Sequence, residues 1–155
     1  MDRRTKGLTA EQQAAKEYLE AFRDLNAEVD ERTEHLRELR ERARSVGGYD
    51  LSSPRSGSHG DHADRVGRAA ARIVDAENAL ADLLEKYCAR YRETSRLLDQ
   101  LDNVDDYVLL HARYFRAQKW EDVAVTLDVA PAYVFRIHKR ALQALGELLT
   151  GAAAG

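Results

Sequence analysis

The sequence predicts an all-α protein: a long antiparallel helical hairpin of the coiled-coil kind, followed by a C-terminal helix-turn-helix unit. Three observations point there. Two long stretches place apolar residues at alternating steps of four and three, the repeat of a coiled-coil seam. A Gly/Ser/Pro-rich interval separates them. After Asp105 comes a shorter apolar segment with a break near Asp128 and a proline at 131, the punctuation of two short helices joined by a tight turn.

The first helix should begin at Thr9, because Thr9-Ala-Glu-Gln12 has the spacing of a capping box and Leu8 precedes the cap. It should run to about Ser45 along the seam Tyr18, Phe22, Leu25, Val29, Arg32, Leu36, Leu39, Ala43 and Val46. Only Arg32 is polar. The interval at 46–63 lacks helix propensity and apolar content, which predicts a flexible connector. A second helix is expected from about Asp64 to Leu101, with a seam that includes Ile73, Glu77, Leu80, Leu84, Tyr87, Tyr91 and Leu98. Ala76, Leu83 and Leu97 form a further stripe, interrupted by Arg90, with the C-terminal unit or another subunit as its expected partner, so homo-oligomerisation stays open.

Folding back through the connector opposes Leu36 to Ile73 and Phe22 to Tyr87, and sets Arg32 against Glu77. A buried unpaired charge costs several kcal/mol, so this pair is expected to select the register. The expected organisation is a hairpin over 1–103, a helix-turn-helix over 104–150 and a disordered tail at 151–155.

In the tail, Asp105 and Asp106 begin a helix that ends near Arg113 and Arg116, an order that suits the helix dipole. Trp120 to Leu127 is expected to form the next helix, Asp128 the turn, and Pro131 the opening of the last helix. Val123, Leu127, Val129, Val134 and Ile137 have the spacing that pins two short helices across a turn, and small Ala124 permits close approach. Asp128 occupies a place often given to Gly, and Asp tolerates a left-handed backbone at modest cost.

Leu110-His-Ala-Arg-Tyr114, Trp120-Glu-Asp-Val-Ala124 and Val134-Phe-Arg-Ile-His-Lys-Arg-Ala-Leu142 resemble region four of sigma factors and its phage relatives. Ala15-Lys-Glu-Tyr-Leu19, Asp64-Arg-Val-Gly67 and Ile73-Val-Asp-Ala-Glu77 extend the likeness to a phage-encoded family of sigma-like regulators, more distantly to the late-gene regulators ArpU and RinA. The resemblance implies action on a phage or prophage promoter. In such a unit the second helix of the turn enters the major groove of double-stranded DNA. Here that implies Ala132, Tyr133, Arg136, Lys139 and Arg140, with Lys119 nearby. Arg136 suits a bidentate contact to guanine, while Lys119, Lys139 and Arg140 suit phosphate. Ala130-Pro-Ala-Tyr133 offers few donors to bases, so specificity is expected to rest partly on a partner such as RNA polymerase.

The net charge of −3 argues against a protein that coats nucleic acid with an overall basic surface, so local clusters must decide. No apolar run approaches the roughly 20 residues needed to cross a bilayer, and the polar start lacks a signal-peptide core, which predicts a cytoplasmic protein with no membrane partner. Cys88 is the single cysteine, and His59-Gly-Asp-His62 has no clear further ligand, so neither a metal nor a cofactor is expected. No nucleophile, base and orienting group can be assembled from spacing, and no Gly-rich phosphate loop follows a strand, so no enzyme is expected. Two other readings stay open. A phage small-terminase-like packaging protein also combines a helix-turn-helix with helical oligomerisation, and a coiled-coil adaptor could use the same fold as a docking surface without touching DNA.

Overall fold

The computed structural model describes residues 7–47 and 59–154, and among them there is no strand. Five α-helices follow in order: α1 (Ala10–Gly47), α2 (His59–Asp99), α3 (Val104–Leu110), α4 (Trp120–Leu127) and α5 (Val134–Ala154). A π-helical turn, His111–Phe115, continues α3 directly. The all-α class and the packed pair of long helices are those expected. The connector is shorter than expected, because α1 runs through Gly47 and α2 opens at His59. The remainder of that interval, 48–58, lies outside the described residues. The expected disordered tail is helical through Ala154, since Gly151-Ala-Ala-Ala154 supplies no stop signal and three residues of high helix propensity. Gly155 lies outside the described residues.

By contacts the described residues form two units, Met1–Asn26 with Tyr87–Gly155, and Ala27–Lys86. The boundary expected after residue 103 therefore falls inside the first unit, because one end of each long helix joins the C-terminal core.

In the first unit α1 starts as its sequence dictates. The Thr9 hydroxyl accepts from Gln12 N–H at 3.1 Å, and the Gln12 side-chain carbonyl accepts from Thr9 N–H at 2.9 Å, a reciprocal capping box. Ala15, Leu19 and Phe22 on α1 are buried with Leu97 and Leu98 on α2 and with Leu109, Leu110, Leu142 and Leu145 farther on. Each fully buried leucine contributes about 1.5–3 kcal/mol, so this shared core holds the C-terminal helices to both long ones. The helices are antiparallel: Phe22 stacks on Tyr87 at 5.8 Å between ring centroids, while Tyr18, one turn earlier, meets Thr94, whose hydroxyl donates to the phenol oxygen at 3.4 Å. Arg90 lies 3.9 Å over the Tyr18 ring. Phe115 from the π-helical turn completes the aromatic cluster, 4.6 Å from Phe22 and 5.2 Å from Tyr91.

A second contact ties α1 to α5. A Cβ built at Gly146 would overlap the backbone carbonyl of Glu11, so only glycine lets the two backbones approach this closely. Beside it Thr9 donates to the Gln143 side chain at 2.9 Å, and Gln12 donates to the Lys139 carbonyl at 3.1 Å.

In the unit Ala27–Lys86 the α2 seam is rotated from the expected one. Ala69, Ile73, Ala76, Leu80 and Leu83 are partly buried, whereas Val66, Ala70, Glu77 and Leu84 are exposed. Of the stripe expected to face the C-terminal unit or another subunit, Ala76 and Leu83 thus share the seam, while Leu97 is buried in the core of the first unit. On α1, Leu36 is buried and Val29, Leu39 and Ala43 are half-buried, as expected, but Arg32 is exposed. The Arg32–Glu77 pairing is replaced: Glu77 accepts from Arg40 at 3.1 Å, with both side chains about half exposed. Rotating α2 puts alanine where a seam carboxylate would have been desolvated, and leaves Glu77 at the hydrated flank. A pair so exposed contributes little and does not select register.

Candidate nucleic-acid interface

Helix α4, the turn and α5 form the expected helix-turn-helix. The αL geometry foreseen at Asp128 is present, with φ 54° and ψ 49°. Asp128 N–H donates to the Val125 carbonyl and Val129 N–H to the Ala124 carbonyl, both at 3.1 Å, which closes the end of α4 in a Schellman arrangement. The last helix opens later than expected. Pro131 to Tyr133 form a turn in which Tyr133 N–H donates to the Ala130 carbonyl at 2.9 Å, and α5 begins at Val134. The Tyr133 carbonyl accepts from Arg136 N–H at 3.0 Å and Ile137 N–H at 3.3 Å, so the turn runs straight into the helix.

The inner face is apolar: Val123, Ala124, Val134, Ile137, Ala141 and Leu142 are buried. The outer face presents Ala132, Tyr133, Arg136 and Lys139, all exposed, with Tyr133 at 46%. Tyr133, Arg136 and Lys139 are three residues apart, which sets them on one side of the helix start. Lys119 is exposed at the N-cap of α4, beside the exposed acids Glu121 and Asp122.

Arg140 stands apart from that group. Its Nε and one terminal nitrogen both reach a single oxygen of Asp106 on α3, at 2.9 and 2.8 Å, and this hydrogen-bonded pairing holds the guanidinium proton more tightly than usual. Asp106 is only 3% exposed, so Arg140 balances a buried carboxylate in addition to lying on the α5 surface. Sequence reading assigned Arg140 to phosphate alone. The signal missed was Asp106, an acid on α3 whose helical neighbours Leu109 and Leu110 are fully buried.

Behind the interface sits a buried polar pair. The Tyr114 hydroxyl and His138 Nε2 share a hydrogen bond of 2.8 Å. Burial pushes the His138 imidazole down to about 3, helped by the positive charges of Lys16 and Arg113, and burial pushes the Tyr114 phenol upward. Both are therefore neutral near pH 7, and a proton on His138 Nδ1 lets the phenol donate to Nε2. Trp120 braces this pair: its ring meets His138 edge-on at 4.7 Å and Phe135 at 5.3 Å, and the Arg113 guanidinium lies 4.4 Å over it. Arg113 in turn donates to the Gln118 carbonyl at 2.8 Å. Between the π-helical turn and α4 the chain passes through Ala117 at φ 53°, a left-handed conformation unusual for alanine.

These contacts fix the exposed face relative to α3 and α4 without using Arg136 or Lys139. The arrangement can grip an anionic surface and offer one arginine fork and one phenol to a groove. No group of three metal-ligating side chains occurs among the described residues. His59 and His62 both fall on the first turn of α2. No helix among the described residues is long and apolar enough to cross a membrane. No family model matches the chain, and neither a curated protein nor a solved structure shows significant similarity to it.

Proposed function

We propose that this protein is a transcription regulator that binds promoter DNA through α4, the Asp128 turn and α5, and that it is not an enzyme. One observation carries the reading: α5 buries Val134, Ile137 and Ala141 while the same turns expose Tyr133, Arg136 and Lys139. A helix held by its apolar side with cations outward near its start is what major-groove docking requires. Arg136 supplies the base-reading fork and Lys139 and Lys119 supply phosphate contacts, while Arg140 is anchored by Asp106. Ala132 and Tyr133 offer few hydrogen bonds to bases, so RNA polymerase shares the work of selecting the site. The resemblance of its motifs to sigma-like phage regulators supports a phage or prophage promoter as the target, and a cytoplasmic place of action goes with that reading. Homo-oligomerisation through the long helices would match paired half-sites.

Binding of labelled promoter and non-promoter duplexes across a salt series tests this. Arg136→Ala should weaken the preferred site by about 1–3 kcal/mol, and Lys139→Ala should lower the salt slope by about one on every sequence. If both variants bind as the wild type does, α5 is not a DNA-reading helix and a protein-docking role takes its place.

A further inference from the structure

The unit Ala27–Lys86 carries a second concentration of positive charge that the helix-turn-helix does not use. Between α1 and α2 lies a groove of about 410 Å³ whose walls are Arg42 from α1 and Arg65, Arg68 and Arg72 from α2. Its floor is Leu39, Ala43 and Ala69. Among the described residues no carboxylate lines it. Arg65 is ion-paired with the exposed Asp61 at 3.5 Å. Toward Arg32 and His35 the groove continues past Asp75, so its carboxylate-free stretch is the part around Arg68.

Arg65, Arg68 and Arg72 recur at three and four residues, which puts their guanidinia along one helical face in a row on the order of 10 Å long. Like charges at such spacings repel one another, a cost that an incoming anion removes. Every cation in the stretch is arginine, whose planar fork grips a phosphate through two parallel hydrogen bonds, where lysine offers a single point charge. A protein partner would draw its affinity from large anchors seated in apolar pockets, and one leucine with two alanines provides little of that. A phosphodiester backbone draws its affinity from charge alone.

We infer that the Arg42–Arg65–Arg68–Arg72 groove binds the phosphate backbone of DNA as a second, sequence-independent contact. The identity of the polyanion rests on the DNA-binding reading of the α4–α5 unit, whereas the groove itself does not.

The test uses the full-length chain and a labelled duplex of arbitrary sequence, with affinity measured across a salt series. Arg68→Gln combined with Arg72→Gln should lower the slope of log affinity against log salt by about 1.8, and the paired lysine replacements should restore most of it. Arg42→Gln, on the other helix, should lower the slope by about 0.9, which guards against a folding defect confined to α2. Circular dichroism checks that each variant keeps its helix content. Wild-type slopes in all the glutamine variants, with binding lost in Arg136→Ala/Lys139→Ala, would overturn the groove and leave the α5 reading intact. The opposite pattern would sustain the groove and overturn α5. If polyglutamate at matched charge binds as tightly as DNA and the groove variants lose both equally, the groove is a site for acidic protein and the inference fails.

Discussion

Acidification should destabilise the unit that holds α4 and α5 through one residue, His138. The imidazole is 6% exposed, hydrogen-bonded to Tyr114 and faced by the Trp120 edge, and burial holds it down to about 3. In the unfolded chain a histidine titrates near 6.5. Between those two values the unfolded state binds a proton that the folded state refuses, so stability is full above about pH 6.5 and falls as pH drops toward the folded value. The slope is about 1.4 kcal/mol per pH unit, or roughly 3 kcal/mol lost by pH 4.5, a sizeable part of the 5–15 kcal/mol typical of a domain. Trp120 is the only tryptophan, so its fluorescence in urea titrations reports this unit. Wild type and His138→Gln should be compared from pH 7.5 to 4.5. Gln can keep a hydrogen bond to Tyr114 and does not titrate, so its curve should be flatter by nearly the full slope, whatever packing it loses. His111, also held below its ordinary value by burial and then by Arg116, adds a slope of the same sign to both proteins and cancels in the difference. Parallel curves would refute the argument.

Three further substitutions probe the packing behind the interface. Gly146→Ala would ordinarily strengthen a helix by about 0.5–1 kcal/mol, but here the added carbon meets the Glu11 backbone, so a loss of about 1–3 kcal/mol is expected in urea unfolding. Arg140→Ala should destabilise the same unit by about 1–2 kcal/mol, because it strands the buried Asp106 carboxylate while solvent at the half-exposed guanidinium limits the loss. A change under 0.5 kcal/mol would show that Asp106 does not depend on it. Ala117→Gly relieves the left-handed backbone and should raise the thermal midpoint, with a net gain of about 0.5 kcal/mol after the added freedom of the unfolded chain.

Features set by neighbouring residues were legible in the sequence, and features set by distant ones were not. The Thr9–Gln12 capping box and the left-handed Asp128 depend on a few adjacent residues, and both stand where spacing put them. The antiparallel pairing of Phe22 with Tyr87 was equally readable, because bulky apolar residues had few other places to go. The rotation of α2 escaped because Glu77 and Ala76 both lie on plausible stripes, and only the three-dimensional choice between hydrating a carboxylate and burying an alanine decides between them. The approach of α1 to α5 at Gly146 escaped for a different reason: a lone glycine in a helical pattern reads as a small propensity cost until its neighbour is known. On the interface, the exposure of Arg136 and Lys139 followed from the apolar period of α5, while the capture of Arg140 required knowing that α3 lies against that helix.

That capture bears on how many charges remain for DNA. A chain of net charge −3 exerts no general attraction on a polyanion, so binding must come from counting local cations that are not already engaged. With Arg140 held by Asp106, the α4–α5 face offers Arg136, Lys139 and Lys119. If all three met phosphates, the salt slope would be about 2.7 in magnitude. Should Arg136 read a base instead, the figure drops toward about 1.8. With Arg65 paired to Asp61, the groove arginines Arg42, Arg68 and Arg72 would add about 2.7. Counted per protomer on DNA, a wild-type slope near 2 to 3 therefore describes a protein that holds DNA by the helix-turn-helix alone, and one near 5 requires the groove as well. Per protomer the two readings differ by more than a factor of a hundred in how far affinity falls over a tenfold rise in salt, a difference that a salt titration of the unmodified protein resolves once the number of protomers bound is measured.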